Sequence, residues 1–150
     1  MNIKVKLLGE KDIQCSLERL AHEIIEKNTN LNNVALVGIR TRGEFLAQRV
    51  HKLIKKYSNV NLPMGILDVT FYRDDFRTNL GSPKIEASNI LFEVDGASVI
   101  LIDDVLYTGR TIRAAMDEIF SYGRPNSIQL GVLVDRGHRE LPIKADYVGK

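Results

Sequence analysis

In residues 99–111 four apolar residues run straight into Asp103 and Asp104, followed by Val105, Leu106, Tyr107, Thr108, Gly109, Arg110 and Thr111. Ionised aspartates only accept hydrogen bonds, so an adjacent pair suits the vicinal hydroxyls of a ribose or a divalent metal ion. Thr108 and Thr111 supply hydroxyls, Gly109 lets the backbone turn tightly against an anion, and Arg110 adds charge. The apolar run predicts a strand, and the residues after the acids predict a helix start. Free N–H groups and the dipole at such a start receive a phosphate. A strand end, a hydroxyl-rich bend and a helix N-terminus in this order make a pocket for a sugar phosphate. The same residues also fit an ordinary strand-to-helix turn in which an Asp or Thr caps the helix.

Other polar segments follow other apolar runs. Residues 40–43, Arg-Thr-Arg-Gly, come after the apolar stretch 34–39 and open a helical pattern, which suits a second anion or a solvated basic turn. Asp135, Arg136, Gly137, His138 and Arg139 follow the apolar stretch that ends at Val134. Residues 72–88 are charged and carry Gly81 and Pro83, which predicts a long loop; such loops often close over a site as lids. Arg73 is the candidate for closing onto the second anion, whereas Asp68 also fits a structural role.

The elements that must position these groups are legible from periodicity. Residues 12–28 predict an amphipathic helix with Ile13, Leu17, Leu20, Ala21, Ile24 and Ile25 on one face. Residues 34–39 predict a strand buried on both faces. A second helix follows the 40–43 turn, with Phe45, Leu46, Val50, Leu53 and Ile54 as its core face. Residues 64–71, 98–102 and 127–134 predict further strands, and 111–122 a third helix stopped by Gly123. Alternating strands and helices imply an α/β fold with a mainly parallel central sheet. In such sheets ligands sit outside the carboxyl ends of the strands, so segments 40–43, 103–111 and 135–139 are expected to meet at one edge.

Composition sets the bounds. The 150 residues suit one domain spanning 1–150, and 44% hydrophobic with 27% charged residues is ordinary for a globular protein. A net charge of +2 does not by itself argue for nucleic acid. Cys15 is the single cysteine, so no intrachain disulfide forms and a reducing cytoplasm is the simpler compartment. No apolar run reaches membrane-spanning length, and no membrane or DNA partner is expected.

Residues 99–111 resemble the signature of type I phosphoribosyltransferases. Residues 40–43, residues 67–75 (Leu-Asp-Val-Thr-Phe-Tyr-Arg-Asp-Asp) and residues 134–143 (Val-Asp-Arg-Gly-His-Arg-Glu-Leu-Pro-Ile) are similar to one branch of it. That branch joins uracil phosphoribosyltransferase activity to attenuation of pyrimidine operons, and the similarity runs from about Asp12 to Lys150. The resemblance implies a three-layer α/β/α fold and the reaction of uracil with phosphoribosyl pyrophosphate to give UMP and pyrophosphate, with Mg²⁺. It assigns pyrophosphate to Thr41 and Arg42. Ribose and metal go to Asp103 and Asp104, the 5′-phosphate to the stretch from Val105 to Thr111, and the base to Arg136. It also implies UMP-dependent binding of leader mRNA, with His22, Lys27, His138, Arg139, Lys144 and Lys150 at the matching positions, and a homodimer or homotetramer.

Departures from the branch matter as much. Purine-salvage relatives carry an Asp where this chain has Tyr107. A tyrosine, with a reference pKa of about 10, is a poor base at neutral pH, which argues against a purine substrate and predicts no dedicated general base. Glu18 stands where the branch has a hydroxyl residue, and its carboxylate repels RNA phosphate. Lys27 and Lys144 stand where Arg is common and cannot make the same bidentate contacts. The branch normally continues past Lys150 with a C-terminal segment. Two other readings stay open here: a nucleotide-sensing RNA-binding regulator with vestigial catalysis, and a purine phosphoribosyltransferase.

Overall fold

Apolar runs buried on both faces build the centre of the structure. The computed structural model describes residues 9–69 and 88–149. Helix α1 (Glu10–Lys27) leads through a 3₁₀ turn (Leu31–Asn33) into β1 (Val34–Ile39), and then come α2 (Arg42–Ser58) and β2 (Met64–Leu67). Strand β3 (Ser98–Leu106), helix α3 (Arg110–Phe120), β4 (Ser127–Asp135) and β5 (Tyr147–Val148) complete it. The strands form one sheet in the order β2-β1-β3-β4-β5, and every pairing is parallel.

Strand side chains alternate between the faces, and each face has its own helices. Leu36, Ile100, Ile102 and Leu133 pack under α1 and α2 against Leu17, Leu20, Ile24, Val50 and Ile54. Val37, Ile39, Val99, Leu101 and Val132 pack under α3 against Ile112, Ala115 and Ile119. The expected three-layer α/β/α architecture with a parallel sheet is therefore the observed one.

Four expectations need correction. Phe45 is not on the core face of α2 but 57% exposed, because the buried stripe runs through Gly43, Ala47, Val50 and Ile54. Strand β2 ends at Leu67 rather than continuing towards residue 71, of which residues 70–71 lie outside the described residues. Strand β3 does not stop at Ile102. It carries both acids and runs to Leu106, because β4 pairs along the extension, Asp103 with Val132 and Leu106 with Asp135. Strand β5 was unexpected; it pairs with β4 at Gly131 and Val132. The long loop expected over 72–88 falls outside the described residues except for Ser88.

Glycine is required where α2 meets the sheet. A β-carbon on Gly38 would lie 2.7 Å from the Gly43 carbonyl oxygen and 2.9 Å from the Ala47 β-carbon. The obstructing atoms are backbone and a rigid methyl, so the helix itself would have to move. Gly38→Ala is expected to lower stability by about 1–3 kcal/mol, measured by denaturant unfolding. Unchanged stability would show that α2 tolerates displacement.

Candidate active site

The three polar segments do meet at the carboxyl edge of the sheet, since they leave neighbouring parallel strands in the same direction. At β3 the buried Asp103 accepts a hydrogen bond from the Asp104 amide at 2.8 Å, and Asp104 accepts one from the Val105 amide at 2.8 Å. Each carboxylate is thus oriented by backbone. Arg42 Nη1 lies 3.7 Å from Asp104 Oδ2, and its side chain is 82% exposed. The first turn of α2 comes this close because Gly43 has no side chain: a β-carbon there would be 2.5 Å from the Ile102 carbonyl oxygen. Thr41 is the N-cap of α2 and makes no side-chain cap, which leaves first-turn N–H groups available to a ligand. The Arg40–Thr41 peptide is cis. Arg40 Nε sits 3.9 Å from Asp68 Oδ2, so Asp68 faces the turn from β2's side.

The bend between β3 and α3 is tied to the segment after β4. Gly109, with φ of 96°, is the N-cap of α3 and also lacks a side-chain cap, while Thr108 Oγ1 accepts from the Arg110 amide at 3.2 Å. Neither Asp of the pair caps α3, and Thr111 is exposed in its first turn. The Thr108 carbonyl accepts from the Glu140 and Leu141 amides at 2.9 and 3.1 Å. Arg110 Nε donates to Glu140 Oε1 at 2.7 Å, so its side chain also spans the two segments. Val105 and Tyr107 are exposed, whereas Leu106 is buried in the core.

Residues 135–139 form the other wall. Arg139 donates to both oxygens of Asp135 at 2.9 and 2.8 Å, to the Tyr107 carbonyl at 2.8 Å and to the Ile143 carbonyl at 2.8 Å. The Gly137 amide bonds to Asp135 at 2.9 Å. That amide, and then Arg139, hold the Asp135 carboxyl below the usual carboxylate range against the opposing effect of burial. Arg136 lays its guanidinium over the Tyr107 ring at 4.5 Å, and the His138 ring meets Tyr107 edge-on at 5.9 Å.

The described residues matched to RNA contact lie on α1 and in the segment after β4. His22 is exposed on α1 and stacks on Tyr57 with ring centroids 4.2 Å apart. Lys27, also on α1, pairs with Asp146 at 3.6 Å. His138 belongs to the wall beside Tyr107, and Arg139 is turned inward to hold that wall. Lys144 is exposed. Arg73 and Lys150 lie outside the described residues. Among the described residues no three acidic, histidine or cysteine side chains gather as a metal site. Sequence reasoning missed Glu140 as the partner of Arg110. It also missed the positioning role of Arg139, for which the i, i+4 spacing from Asp135 was the available signal.

Comparison with known proteins agrees with this geometry. Residues 8–150 match the phosphoribosyl transferase domain family. The chain is 54% identical to the bifunctional protein PyrR of a Thermoanaerobacter species, over all of this chain and 84% of that one. It is 50% identical to the bifunctional protein PyrR of Listeria monocytogenes, again over all of this chain and 84% of the relative. Among solved structures, a hypoxanthine phosphoribosyltransferase from Staphylococcus aureus superposes with a TM-score of 0.74 at 25% identity, covering 100% of this chain and 82% of that one. By this match and these identities the chain belongs to the phosphoribosyltransferase family, in the branch of the bifunctional PyrR proteins.

Proposed function

We propose that this protein transfers a phosphoribosyl group from phosphoribosyl pyrophosphate to uracil and, with UMP bound, binds the leader mRNA of pyrimidine genes to attenuate their transcription. The observation that carries the enzyme reading is the Asp103–Asp104 pair, set within reach of Arg42 and between the first turns of α2 and α3. In the transfer, uracil N1 bonds to C1′ of the ribose while the C1′–oxygen bond to pyrophosphate breaks, and the N1 proton leaves to solvent. Positive charge grows on the ribose ring and negative charge on the departing pyrophosphate. Asp103 and Asp104 accept the ribose hydroxyls and face the growing positive charge. Arg42 and the α2 amides face the growing negative charge, and preorganised groups of this kind supply most of such catalysis.

The 5′-phosphate sits in the bend from Val105 to Thr111 against the first turn of α3, an arrangement suited to any phosphate group. The acid pair also fits Mg²⁺, an ion usually held by one or two carboxylates together with substrate oxygens rather than by a full protein cage. When bound, it neutralises pyrophosphate charge. Uracil lies against residues 136–139, with Arg136 donating to a base carbonyl. No helix among the described residues is long and apolar enough to cross a membrane, in keeping with action in the cytoplasm.

The direct test mixes the protein with Mg²⁺, phosphoribosyl pyrophosphate and either uracil or hypoxanthine. UMP formation with no hypoxanthine product supports the reading, and turnover of hypoxanthine alone sinks it. Asp104→Asn keeps the shape but removes the charge, and kcat is expected to fall by about 100-fold; an undiminished kcat would remove the acid pair from the mechanism.

Arg139→Met should release the wall at Asp135 and raise the KM for uracil by about tenfold, since small misplacements of binding groups are costly. The same substitution should change the acid limb of unfolding. Asp135 has a lowered carboxyl pKa in the folded protein, so its contribution is full above the ordinary carboxylate range and is lost as pH falls through the lowered value. Without Arg139 that loss begins at higher pH, which a series of melts between pH 3 and pH 7 reads directly. For RNA, Glu18→Thr combined with Lys27→Arg is expected to strengthen UMP-dependent retention of leader RNA on a filter; no gain would show that the charge at position 18 does not limit binding.

A further inference from the structure

We infer that Tyr107 is a positioning residue for nucleobase recognition: its ring holds the Arg136 guanidinium flat, so that the guanidinium edge meets the base. The inference rests on the transferase reading above and deepens it. The Arg136 guanidinium carbon lies 4.5 Å from the Tyr107 ring centroid, well inside the range at which a cation is attracted to an aromatic face. A planar guanidinium stacked on a ring gives its face to that ring and keeps the N–H edge for hydrogen bonds in its own plane. Carbonyl oxygens on the rim of uracil are matching acceptors.

The two arginines of this wall are used in opposite ways. Arg139 donates to Asp135 and to the carbonyls of Tyr107 and Ile143, which spends its fork on the loop itself. Arg136 makes no side-chain hydrogen bond among the described residues, and the Tyr107 ring is its partner. The backbone under both members of the stack is fastened. The Arg136 amide donates to the Leu106 carbonyl at 2.9 Å, and the Tyr107 carbonyl accepts from Arg139 at 2.8 Å.

His138 closes the third side. Its φ of 58° is a left-handed conformation that side chains with a β-carbon seldom adopt. It follows Gly137, also left-handed at 78°, and this double turn brings the imidazole edge-on against Tyr107 at 70°. Tyr107 is thereby gripped on one side by a cation and on another by a ring edge. Half-exposed beside the phosphate bend, it would otherwise be free to swing and carry Arg136 with it.

The test compares two ligands that differ only in the base. Calorimetry measures the dissociation constants of UMP and ribose 5-phosphate, and their ratio reports the contribution of the nucleobase. Tyr107→Leu is expected to reduce that ratio by about tenfold, a loss of the size a misplaced charged donor produces. Tyr107→Phe, which keeps the ring, should recover most of it. Arg136→Ala should reduce the ratio by a similar factor, and the double variant should lose no more than either single one. Equal weakening of UMP and ribose 5-phosphate by Tyr107→Leu would overturn the inference, as would losses that multiply in the double variant. A parent protein that binds both ligands alike would overturn it too. Because the ratio needs no turnover, a failure to make UMP from uracil would count against the transferase reading alone.

Discussion

Backbone crowding between the start of α2 and the middle of β3 governs this site. Glycine at 38 and at 43 allows helix backbone to lie where any β-carbon would overlap a carbonyl oxygen, at 2.7 Å in one case and 2.5 Å in the other. The result is that the turn after β1 is pressed onto the strand that carries Asp103 and Asp104. A longer separation would leave Arg42 and the α2 amides unable to serve the same ligand as the acids. Close-packed interiors transmit displacement rather than absorb it, so the distance between these two segments is set by the core and not by the loops.

On its other side β3 is held by β4, and there the polar ties replace the tight packing. The Thr108 carbonyl receives two amides from the segment after β4, the Leu106 carbonyl receives the Arg136 amide, and Arg139 binds three further groups. These bonds settle the loops without drawing on the first-turn amides of α2 and α3. The N-cap residues of α2 and α3, Thr41 and Gly109, place no side-chain cap on those amides, and only the Arg110 amide is met by a neighbouring side chain, Thr108 Oγ1.

Much of this was legible in the chain. Strands buried on both faces read as unbroken apolar runs, so β1, β3 and β4 stood out, and α1 and α3 followed from their periodicity within two residues of the observed ends. What was hidden depends on pairing between distant segments. The extension of β3 through Asp103 and Asp104 exists because β4 lies alongside, and no local propensity favours two acids in a strand. Strand β5 is two residues long and is defined by β4 and by Asp146, which accepts the Leu130 amide at 2.9 Å. Phe45 has the type of a core residue but sits two positions from the buried stripe. For Arg139 the resemblance implied RNA contact, and only the location of Asp135 and of the Tyr107 and Ile143 carbonyls explains why it turns in.

The basic residues of α1 divide by the same logic. Arg19 reaches across to the carbonyls of Val148 and Gly149 and thereby clips β5 to the helix. Asn28 donates to the Tyr147 hydroxyl, which in turn donates to Gln129, and burial raises the Tyr147 pKa. Those groups are committed to the frame. Lys27 is different: its pair with Asp146 is 3.6 Å long and lies on the surface, and exposed pairs of this kind contribute about 0–1 kcal/mol. A phosphate could therefore take the lysine at little cost to the fold, whereas recruiting Arg19 would loosen the strand that follows residues 135–139. Lys27, which also lies over the Tyr147 ring at 5.5 Å, is thus held more loosely than Arg19.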